Sequence, residues 1–333
     1  MKTRIVKLIP LILGSTLPCY VASVARADTD WVLVLDRSES MTQNDPANYR
    51  FDAQKIMVDL LAQEAQEIHR LTIIRFAGTP EVVLDRVELK PANLDTVRRT
   101  ISEDPPKGDT DIGAALAMAR SISKAEGRTA DVHIILLSDG VLAGKIPNLV
   151  GRLEEQKKAF QELGLPVNTI LLNDFSITQE EREERRRRKL YYDDRQLQAG
   201  EDLMRDLARR SGGEAVQVLP ERGVEDILIG LIAPHMSFHR ESVTGRLTTW
   251  PTDRQLFFVL DRKAREVNLR IAAQDVKISL EKAQKVEGDF EVVVAPYAKR
   301  TVLMVRPKEN VRWPEWLEVL PTGSDPVLGE VFV

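Results

Sequence analysis

Short apolar runs alternate with helical segments over the first two thirds of the chain. Six runs of four to six residues have the aliphatic composition of buried strands: residues 31–35, 71–76, 81–84, 132–137, 167–172 and 215–218. Between and after them, six segments repeat apolar residues at three- and four-residue spacing, as amphipathic helices do: residues 51–65, 93–101, 112–123, 149–163, 203–210 and 224–232. This alternation predicts an α/β fold, a Rossmann-like doubly wound and mainly parallel sheet covered by helices.

One strand of this sheet departs from the parallel pattern. The runs at 71–76 and 81–84 are joined only by Ala77-Gly78-Thr79-Pro80, which is too short for a crossover helix and is typical of a hairpin. We therefore expect one antiparallel strand at an edge of the sheet.

The pattern changes after Pro234. Helical periodicity ends, and apolar residues alternate with polar ones in several runs: Val267-Leu269-Ile271, Val276-Ile278-Leu280 and Phe290-Val292-Val294. Alternation with frequent turn residues predicts a smaller antiparallel β-sandwich-like domain over residues 235–333. No Gly/Ser-rich linker precedes it, so the two domains are expected to dock. Trp250, Trp313 and Trp316 fall in this part, where a packed core is favoured over a sugar-stacking surface.

The first 27 residues have the features of an export signal. A basic start is followed by an apolar stretch over residues 8–17, and Ala25 and Ala27 have the small-residue spacing of a cleavage site. We predict a signal peptide at 1–27 and export to the periplasm or the extracellular space. An uncleaved anchor is the alternative, although Pro10, Gly14 and Pro18 interrupt the apolar run.

Charge and cysteine content narrow the class of protein. Cleavage after Ala27 would remove four of the 47 basic residues and none of the 51 acidic ones, moving the net charge from −4 to −8. An acidic chain argues against nucleic acid as a partner. The single cysteine, Cys19, lies within the predicted signal, and an exported chain without disulfides is typical of bacteria.

Oxygen-bearing side chains cluster after two of the predicted strands. Asp36, Ser38 and Ser40 occupy alternate positions in the turn after the first strand, and Asp139 follows the strand at 132–137. Thr110 lies in the loop before the helix at 112–123, where Asp109 and Asp111 are candidates for the helix cap. The first and fourth strands flank the point where the winding reverses, and ligands bind there in open α/β sheets.

This donor set predicts a metal site. Two carboxylates and three hydroxyls suit a hard divalent cation, with Mg²⁺ the best match and Mn²⁺ or Ca²⁺ as alternatives. Thiolate-bound soft metals are excluded because no cysteine remains in the mature chain.

The motif Asp36-x-Ser38-x-Ser40, followed by Thr110 and then Asp139, resembles the metal-ion-dependent adhesion site of the von Willebrand factor A domain family. The likeness extends over residues 28–234. It implies that Ser38, Ser40 and Thr110 contact the metal, while Asp36 and Asp139 act largely through water. It also implies that a carboxylate of a partner protein takes the open coordination position.

Two features near this motif bear on the partner. Glu39 stands where the family often has glycine, and its carboxylate could bind near the ion, repel an acidic partner or point into water. Residues 173–200 form an insertion after the fifth strand, at the same edge as the motif, in which Arg185, Arg186, Arg187 and Arg188 follow a run of glutamates. These arginines either attract an acidic partner or form one side of a solvated helix.

Other functions are disfavoured. Ser38 lacks a nucleophile elbow, no phosphate-binding glycine loop follows the first strand, and no Glu follows His235 as a zinc protease would require. His133 is interpreted as a core or strand-face histidine. We therefore predict a non-catalytic, metal-dependent protein-binding protein of the bacterial envelope. A structural subunit of an envelope assembly, in which the metal only stabilises the fold, is the alternative. Assistance to a cytosolic metal insertase is disfavoured by the export signal.

Overall fold

Six strands form the central sheet of the computed structural model. They are β1 (Thr29–Asp36), β2 (His69–Phe76), β3 (Glu81–Glu88), β4 (Asp131–Ser138), β5 (Val167–Leu171) and β6 (Ala215–Gln217). Their order is β3-β2-β1-β4-β5-β6, and all neighbours are parallel except β2 and β3. The predicted α/β class and the antiparallel edge hairpin are confirmed.

The structure describes most of the chain, in segments. These are residues 28–62, 67–101, 105–124, 131–172, 180, 183–184, 187, 194–219, 223–236, 240–244, 247–249, 256–261, 264–271, 274–297, 300–313, 317–322 and 328–332. The predicted signal at 1–27, with Cys19, lies outside these residues, as do Arg185, Arg186, Arg188, His239, Trp250 and Trp316.

Seven α-helices are described. They are α1 (Met41–Asn44), α2 (Tyr49–Leu61), α3 (Leu94–Thr100), α4 (Ile112–Ser123), α5 (Leu149–Leu163), α6 (Asp194–Ser211) and α7 (Val224–Ile232). None of the helices among the described residues combines the length and the apolar composition that a membrane crossing needs.

Alternate residues of β1 belong to different cores, which explains why its sequence is apolar throughout. Trp31, Leu33 and Leu35 pack with α2, α3 and α7 on one face of the sheet. Val32 and Val34 pack with α4, α5 and α6 on the other face. A strand buried on both faces has no polar side, as expected at the centre of a parallel sheet.

The later residues form two antiparallel sheets. Their strands are β7 (Arg240–Thr244), β8 (Leu247–Thr249), β9 (Leu256–Asp261), β10 (Glu266–Ile271), β11 (Gln274–Ser279), β12 (Gln284–Glu287), β13 (Phe290–Pro296), β14 (Arg300–Pro307), β15 (Leu317–Pro321) and β16 (Leu328–Phe332). One sheet has the order β11-β10-β15-β8 and the other β12-β13-β14-β9-β16-β7. Inward residues such as Val267, Leu269 and Val292 share one core, as the alternating pattern predicted.

The six-stranded sheet of this later part also packs against the α/β part. Phe257, Val259 and Met304 belong to the same apolar cluster as α2 and α7. Arg300 Nη2 donates to both carboxylate oxygens of Asp226 of α7, at 2.7 and 2.8 Å. The two parts are therefore docked through both apolar and charged contacts.

The helix predicted at 203–210 is longer than expected. It begins at Asp194, so the last residues of the predicted insertion at 173–200 belong to α6. The extra turns carry mostly polar residues, and Leu197 is their buried apolar contact. A pattern search based on apolar spacing finds only the more buried second half of such a helix.

Candidate functional site

The turn after β1 gathers the first three predicted ligands. Asp36 is the last residue of β1, and its Oδ1 accepts a hydrogen bond from the Ser38 backbone N–H at 2.8 Å. The hydroxyls of Ser38 and Ser40 lie 3.0 Å apart. The motif therefore forms a compact turn that directs all three side chains to one region at the carboxyl end of the strand.

The loop after β4 brings the fourth ligand alongside. β1 and β4 are neighbours, so Asp139 leaves the sheet next to Asp36. The Ser138 hydroxyl donates to Asp36 Oδ2 at 2.5 Å, and the Val141 N–H donates to Asp139 Oδ1 at 2.9 Å. Asp36 and Asp139 thus lie at the predicted topological switch point.

The loop that carries Thr110 is tied to both other loops by backbone hydrogen bonds. Lys107 N–H donates to the Arg37 carbonyl at 2.8 Å, and Glu39 N–H donates to the Gly108 carbonyl at 3.2 Å. Thr110 N–H donates to the carbonyl of Ala143, beyond Asp139, at 2.7 Å. These bonds hold Thr110 between the two aspartate-bearing loops.

All five predicted ligands are buried. Asp36, Ser38 and Asp139 are 0% exposed, Thr110 is 1% exposed and Ser40 is 2% exposed. Full burial of two carboxylates is costly unless a positive charge neutralises them.

The electrostatics of the site show this cost directly. Burial and, to a smaller extent, the charge of nearby Asp36 raise the pKa of Asp139 to about 7, against hydrogen bonds that include one from Ser40. Burial also raises the pKa of Asp36, although Ser138 and Ser38 donate to it. Among the described residues neither carboxylate forms an ion pair with a basic side chain within 4.0 Å. The two charges repel each other in a medium of low polarity.

These residues fit a divalent cation. Carboxylate and hydroxyl oxygens are the ligands that hard cations prefer, and a double positive charge would relieve the repulsion between Asp36 and Asp139. Asp36, Ser38, Ser40, Thr110 and Asp139 would hold the ion, directly or through water.

Two residues of this site were missed by the sequence analysis. Asn44 is 1% exposed, and its Nδ2 donates to Asp139 Oδ2 at 2.7 Å. Ser138 bonds to Asp36 as described above. Asn44 follows Ser40 by one helical turn, so it returns to the same side of α1; this spacing was the signal that could have revealed it.

A buried ion pair lies beside Asn44. Arg50 Nη1 is 2.6 Å from Asp45 Oδ2, and both side chains are 0% exposed. Asp45 also accepts the Tyr49 N–H at 2.9 Å, so it fixes the start of α2. The charge of Arg50 lowers the pKa of Asp36, though less than burial raises it.

The helix after the insertion packs directly on the loop of Asp139. A side-chain carbon on Gly200 of α6 would lie 2.7 Å from the Asp139 carbonyl oxygen, and one on Gly140 would lie 2.3 Å from the Gly200 carbonyl oxygen. Gly140 also has a positive φ of 75°, which favours glycine. These two glycines allow backbone contact, so α6 rises beside the site.

The two aspartates beside Thr110 have different roles. Asp111 caps α4, because its Oδ1 accepts the Ala114 N–H at 2.9 Å, and this confirms the predicted cap. The capping role suggested for Asp109 was wrong. Asp109 instead accepts the Lys145 N–H at 3.1 Å, because its side chain turns towards Gly144 rather than the helix.

The rim of the site is exposed and carries charges of both signs. Glu39 is exposed, and so are Lys107 and Lys145 on the two flanking loops. In the insertion, Arg187 is exposed, and its Nε donates to the Glu183 carbonyl at 3.4 Å, one helical turn away.

The histidines lie elsewhere. His133 is partly buried near the start of β4, and His235 lies in a 3-10 turn (Ala233–His235) after α7. His133 faces neither Asp36 nor Ser38, because those residues are at the opposite ends of the strands.

Comparison with known proteins agrees with this architecture. The family model for the von Willebrand factor type A domain matches residues 31–141, a range that includes all five predicted metal ligands. No curated protein matches the sequence.

Solved structures with similar folds share little sequence with this chain. A von Willebrand factor type A protein from Catenulispora acidiphila has 15% identity and a TM-score of 0.47; the match covers 92% of this chain and 66% of that chain. The conserved hypothetical protein BatB from Bacteroides thetaiotaomicron has 20% identity and a TM-score of 0.40, with 62% of this chain and 99% of that chain covered. An aerotolerance-related membrane protein from Bacteroides fragilis has 18% identity and a TM-score of 0.42, with 62% and 97% covered. The α/β part of the chain has the fold of a von Willebrand factor type A domain.

Proposed function

We propose that this protein is a non-catalytic, divalent-metal-dependent protein-binding protein of the bacterial envelope, which captures an acidic side chain of a partner. The observation that carries the proposal is the buried cluster of Asp36 and Asp139 with three hydroxyls, in which neither carboxylate forms an ion pair within 4.0 Å among the described residues. When bound, Mg²⁺ or a similar hard cation would supply a coordination position for a carboxylate of the partner.

The residues of the chain prepare this site in advance. Hydrogen bonds fix both carboxylates: Ser38 and Ser138 hold Asp36, while Asn44 and Val141 hold Asp139. Ligands that are already ordered lose little entropy on binding, which favours affinity.

The rim supports an acidic partner. Lys107 and Lys145 are exposed on the loops that flank the ligand cluster, and Arg187 is exposed in the insertion. Basic rim residues attract acidic surfaces and accelerate encounter at low ionic strength. Glu39 has the opposite charge and would repel an acidic partner. We propose that Glu39 therefore selects for partners whose acidic group lies next to a basic residue.

A hydrolytic role is disfavoured by the contacts of the serines. The Ser38 hydroxyl bonds to Ser40, and the Ser138 hydroxyl bonds to Asp36. A serine nucleophile needs a base such as histidine within hydrogen-bond reach, and His133 and His235 lie at the other end of the sheet.

The location is part of the same proposal. It depends on the predicted signal at residues 1–27 and on the absence of cysteine from the rest of the chain. The alternative, a structural subunit in which the metal serves stability alone, requires no accessible coordination position.

Charge reversal at the rim tests the two functions against each other. Full-length protein with Lys107→Glu and Lys145→Glu is compared with wild type in pull-downs from bacterial envelope extracts, with Mg²⁺ or with EDTA. Lys124→Glu, at the far end of α4, is the matched control.

The proposal predicts that chelation releases the captured partner from wild type and that the rim variant retains Mg²⁺ but captures less partner at low salt. Lys124→Glu is expected to behave as wild type. Equal capture with Mg²⁺ and EDTA, together with metal-dependent thermal stability, would instead support the structural subunit.

A further inference from the structure

A second cluster of metal-ligating side chains lies near the amino-terminal ends of β1 and β4, whereas the first site lies at their carboxyl ends. Asp131 is the first residue of β4, and His133 pairs in register with Trp31 of β1. His235 reaches the same place from the turn after α7. Trp31 and Asp36 are five residues apart on one strand, so the two clusters are separated by roughly 16 Å.

Three ligand atoms converge in this cluster. One atom each from Asp131, His133 and His235 lies within 4.8 Å of the others. His133 Nε2 is 3.1 Å from Asp131 Oδ2, and the centroids of the two imidazole rings are 3.9 Å apart. Tetrahedral Zn²⁺ with ligand distances of about 2.0–2.1 Å would place donor atoms about 3.4 Å apart. Donor atoms that lie up to 4.8 Å apart would therefore have to approach by at most about 1.4 Å.

Trp31 holds the two imidazoles in place. Its ring stacks on His133 with a centroid distance of 4.7 Å and meets His235 edge-on at 5.5 Å. Trp31 is 1% exposed, and its Nε1 donates to His69 Nδ1 at 3.3 Å. Buried aromatic packing of this kind restricts ring rotation, and ordered ligands favour metal binding.

The donor set differs from that of the first site. Two imidazole nitrogens and one carboxylate suit Zn²⁺ or a neighbouring transition metal rather than Mg²⁺. The Asp131 side chain is 63% exposed, whereas that of His133 is 13% exposed, so the cluster is open to solvent on the carboxylate side. Three protein ligands leave a fourth position for water or another ligand.

We propose that Asp131, His133 and His235 form a transition-metal site of the Zn²⁺ class, independent of the oxygen site at Asp36. Binding there would link the end of α7 to the start of β4. Because β7 begins only five residues after His235, the metal would fix the point where the chain passes from the α/β part to the later sheets.

Calorimetric titration of the full-length protein with Zn²⁺ tests this site. Excess Mg²⁺ is present throughout to occupy the oxygen site, and Co²⁺ absorption reports nitrogen ligands. The variants are His133→Gln with His235→Gln, and Asp36→Asn for the first site. Asp95→Asn, whose side chain is 90% exposed, is the matched control for a lost carboxylate.

We expect one zinc equivalent in wild type, Asp36→Asn and Asp95→Asn, and a loss of affinity of more than about 10-fold in the double histidine variant. Equal zinc affinity in wild type and the double variant would overturn the proposal, as would the absence of zinc binding to wild type under these conditions.

A measurement on wild type guards against variants that fail to fold. The histidine side-chain NMR signals are recorded at constant pH, with and without Zn²⁺. We expect zinc to shift the signals of two imidazoles. Unchanged signals of all four histidines would contradict the proposal without reference to any variant.

Discussion

Individual side chains at the oxygen site have contacts that explain their burial. Asp36 and Asp139 both accept hydrogen bonds from neighbouring residues, yet their pKa values are raised because burial outweighs these bonds. Two buried negative charges destabilise the folded protein. A bound cation neutralises them, so the site favours cation binding.

Asn44 offers a test at the scale of one residue. Replacing it in Asn44→Ala removes the donor to Asp139 Oδ2 without removing a ligand. Because such supporting residues orient ligands, we expect Mg²⁺ affinity to fall by about 10–100-fold, measured by calorimetry.

Thr42→Ala is the control, since Thr42 is exposed on the same short helix. An Mg²⁺ affinity of Asn44→Ala equal to that of Thr42→Ala would show that Asn44 does not position Asp139.

The predicted metal ligands could be found from the sequence, but the residues that hydrogen-bond to them could not. Asp36, Ser38 and Ser40 stand out because a strand end and alternate spacing place them together. Asn44 is separated from Asp139 by 95 residues, and only the folded contact between α1 and the β4 loop joins them. Likewise His133 and His235 become neighbours only through α7.

At the scale of elements, strongly periodic segments were predicted well. α4, α5 and α7 have the predicted bounds, and the alternating runs at β10 and β13 have their apolar residues inside. The start of α6 was not predicted because its first turns make few apolar contacts. Gly200 instead brings the helix backbone against the backbone of the Asp139 loop, and the spacing of apolar residues does not reveal such a contact.

The pairing of α5 with α6 gives a prediction for pH dependence. Asp206 of α6 contacts Lys157 of α5, which is buried, and Arg209 of its own helix. Burial alone would raise the pKa of Asp206, but the hydrogen bonds from Arg209 and Lys157 outweigh it and lower the pKa to about 2.

Because the folded pKa is depressed, Asp206 stabilises the fold above its unfolded pKa of about 3.9, and this contribution is lost as pH falls towards 2. We expect Asp206→Asn to lower the free energy of unfolding by about 1 kcal/mol at pH 7, after allowance for solvent screening. The difference from wild type should vanish between pH 4 and 2 in urea titrations.

Asp202→Asn, on the exposed side of the same helix, should leave stability unchanged at every pH. A constant gap between wild type and Asp206→Asn from pH 7 to pH 2 would show that the ion pair has no role in acid unfolding.

At the scale of the whole molecule, a buried hydrogen bond is among the contacts that join the two parts. Tyr297 donates from its hydroxyl to Asp59 Oδ2 of α2 at 2.5 Å, across 238 residues of sequence. Arg98 of α3 also pairs with this fully buried aspartate. The sequence could predict that the two parts dock, because no flexible linker separates them. It could not identify this contact, since in the sequence Asp59 does not differ from the other polar positions of an amphipathic helix.

Tyr297→Phe tests whether this contact stabilises the docked arrangement. The substitution leaves Asp59 Oδ2 buried without its donor, which costs about 1–3 kcal/mol. Urea unfolding should show this loss. Thr322→Val, which removes an exposed hydroxyl from the later part, should change stability by less than about 0.5 kcal/mol. A loss in Tyr297→Phe no larger than in Thr322→Val would contradict the account.

The most direct measurement of the central claim is Mg²⁺ binding to wild type and to Asp36→Asn. The asparagine keeps an oxygen that accepts from the Ser38 N–H, and its Nδ2 would donate to the Ser138 hydroxyl where Asp36 accepts from it. The substitution removes one of the two buried charges. Thermal unfolding with and without Mg²⁺ reports whether each protein is folded and whether it gains stability from the ion.

At an Mg²⁺ concentration about 100 times its Kd, wild type should gain about 2.7 kcal/mol of stability, and calorimetry should show one bound ion. Folded Asp36→Asn should gain none and show no binding heat. Equal Mg²⁺ uptake by the two proteins would contradict the claim that this oxygen cluster is a metal site.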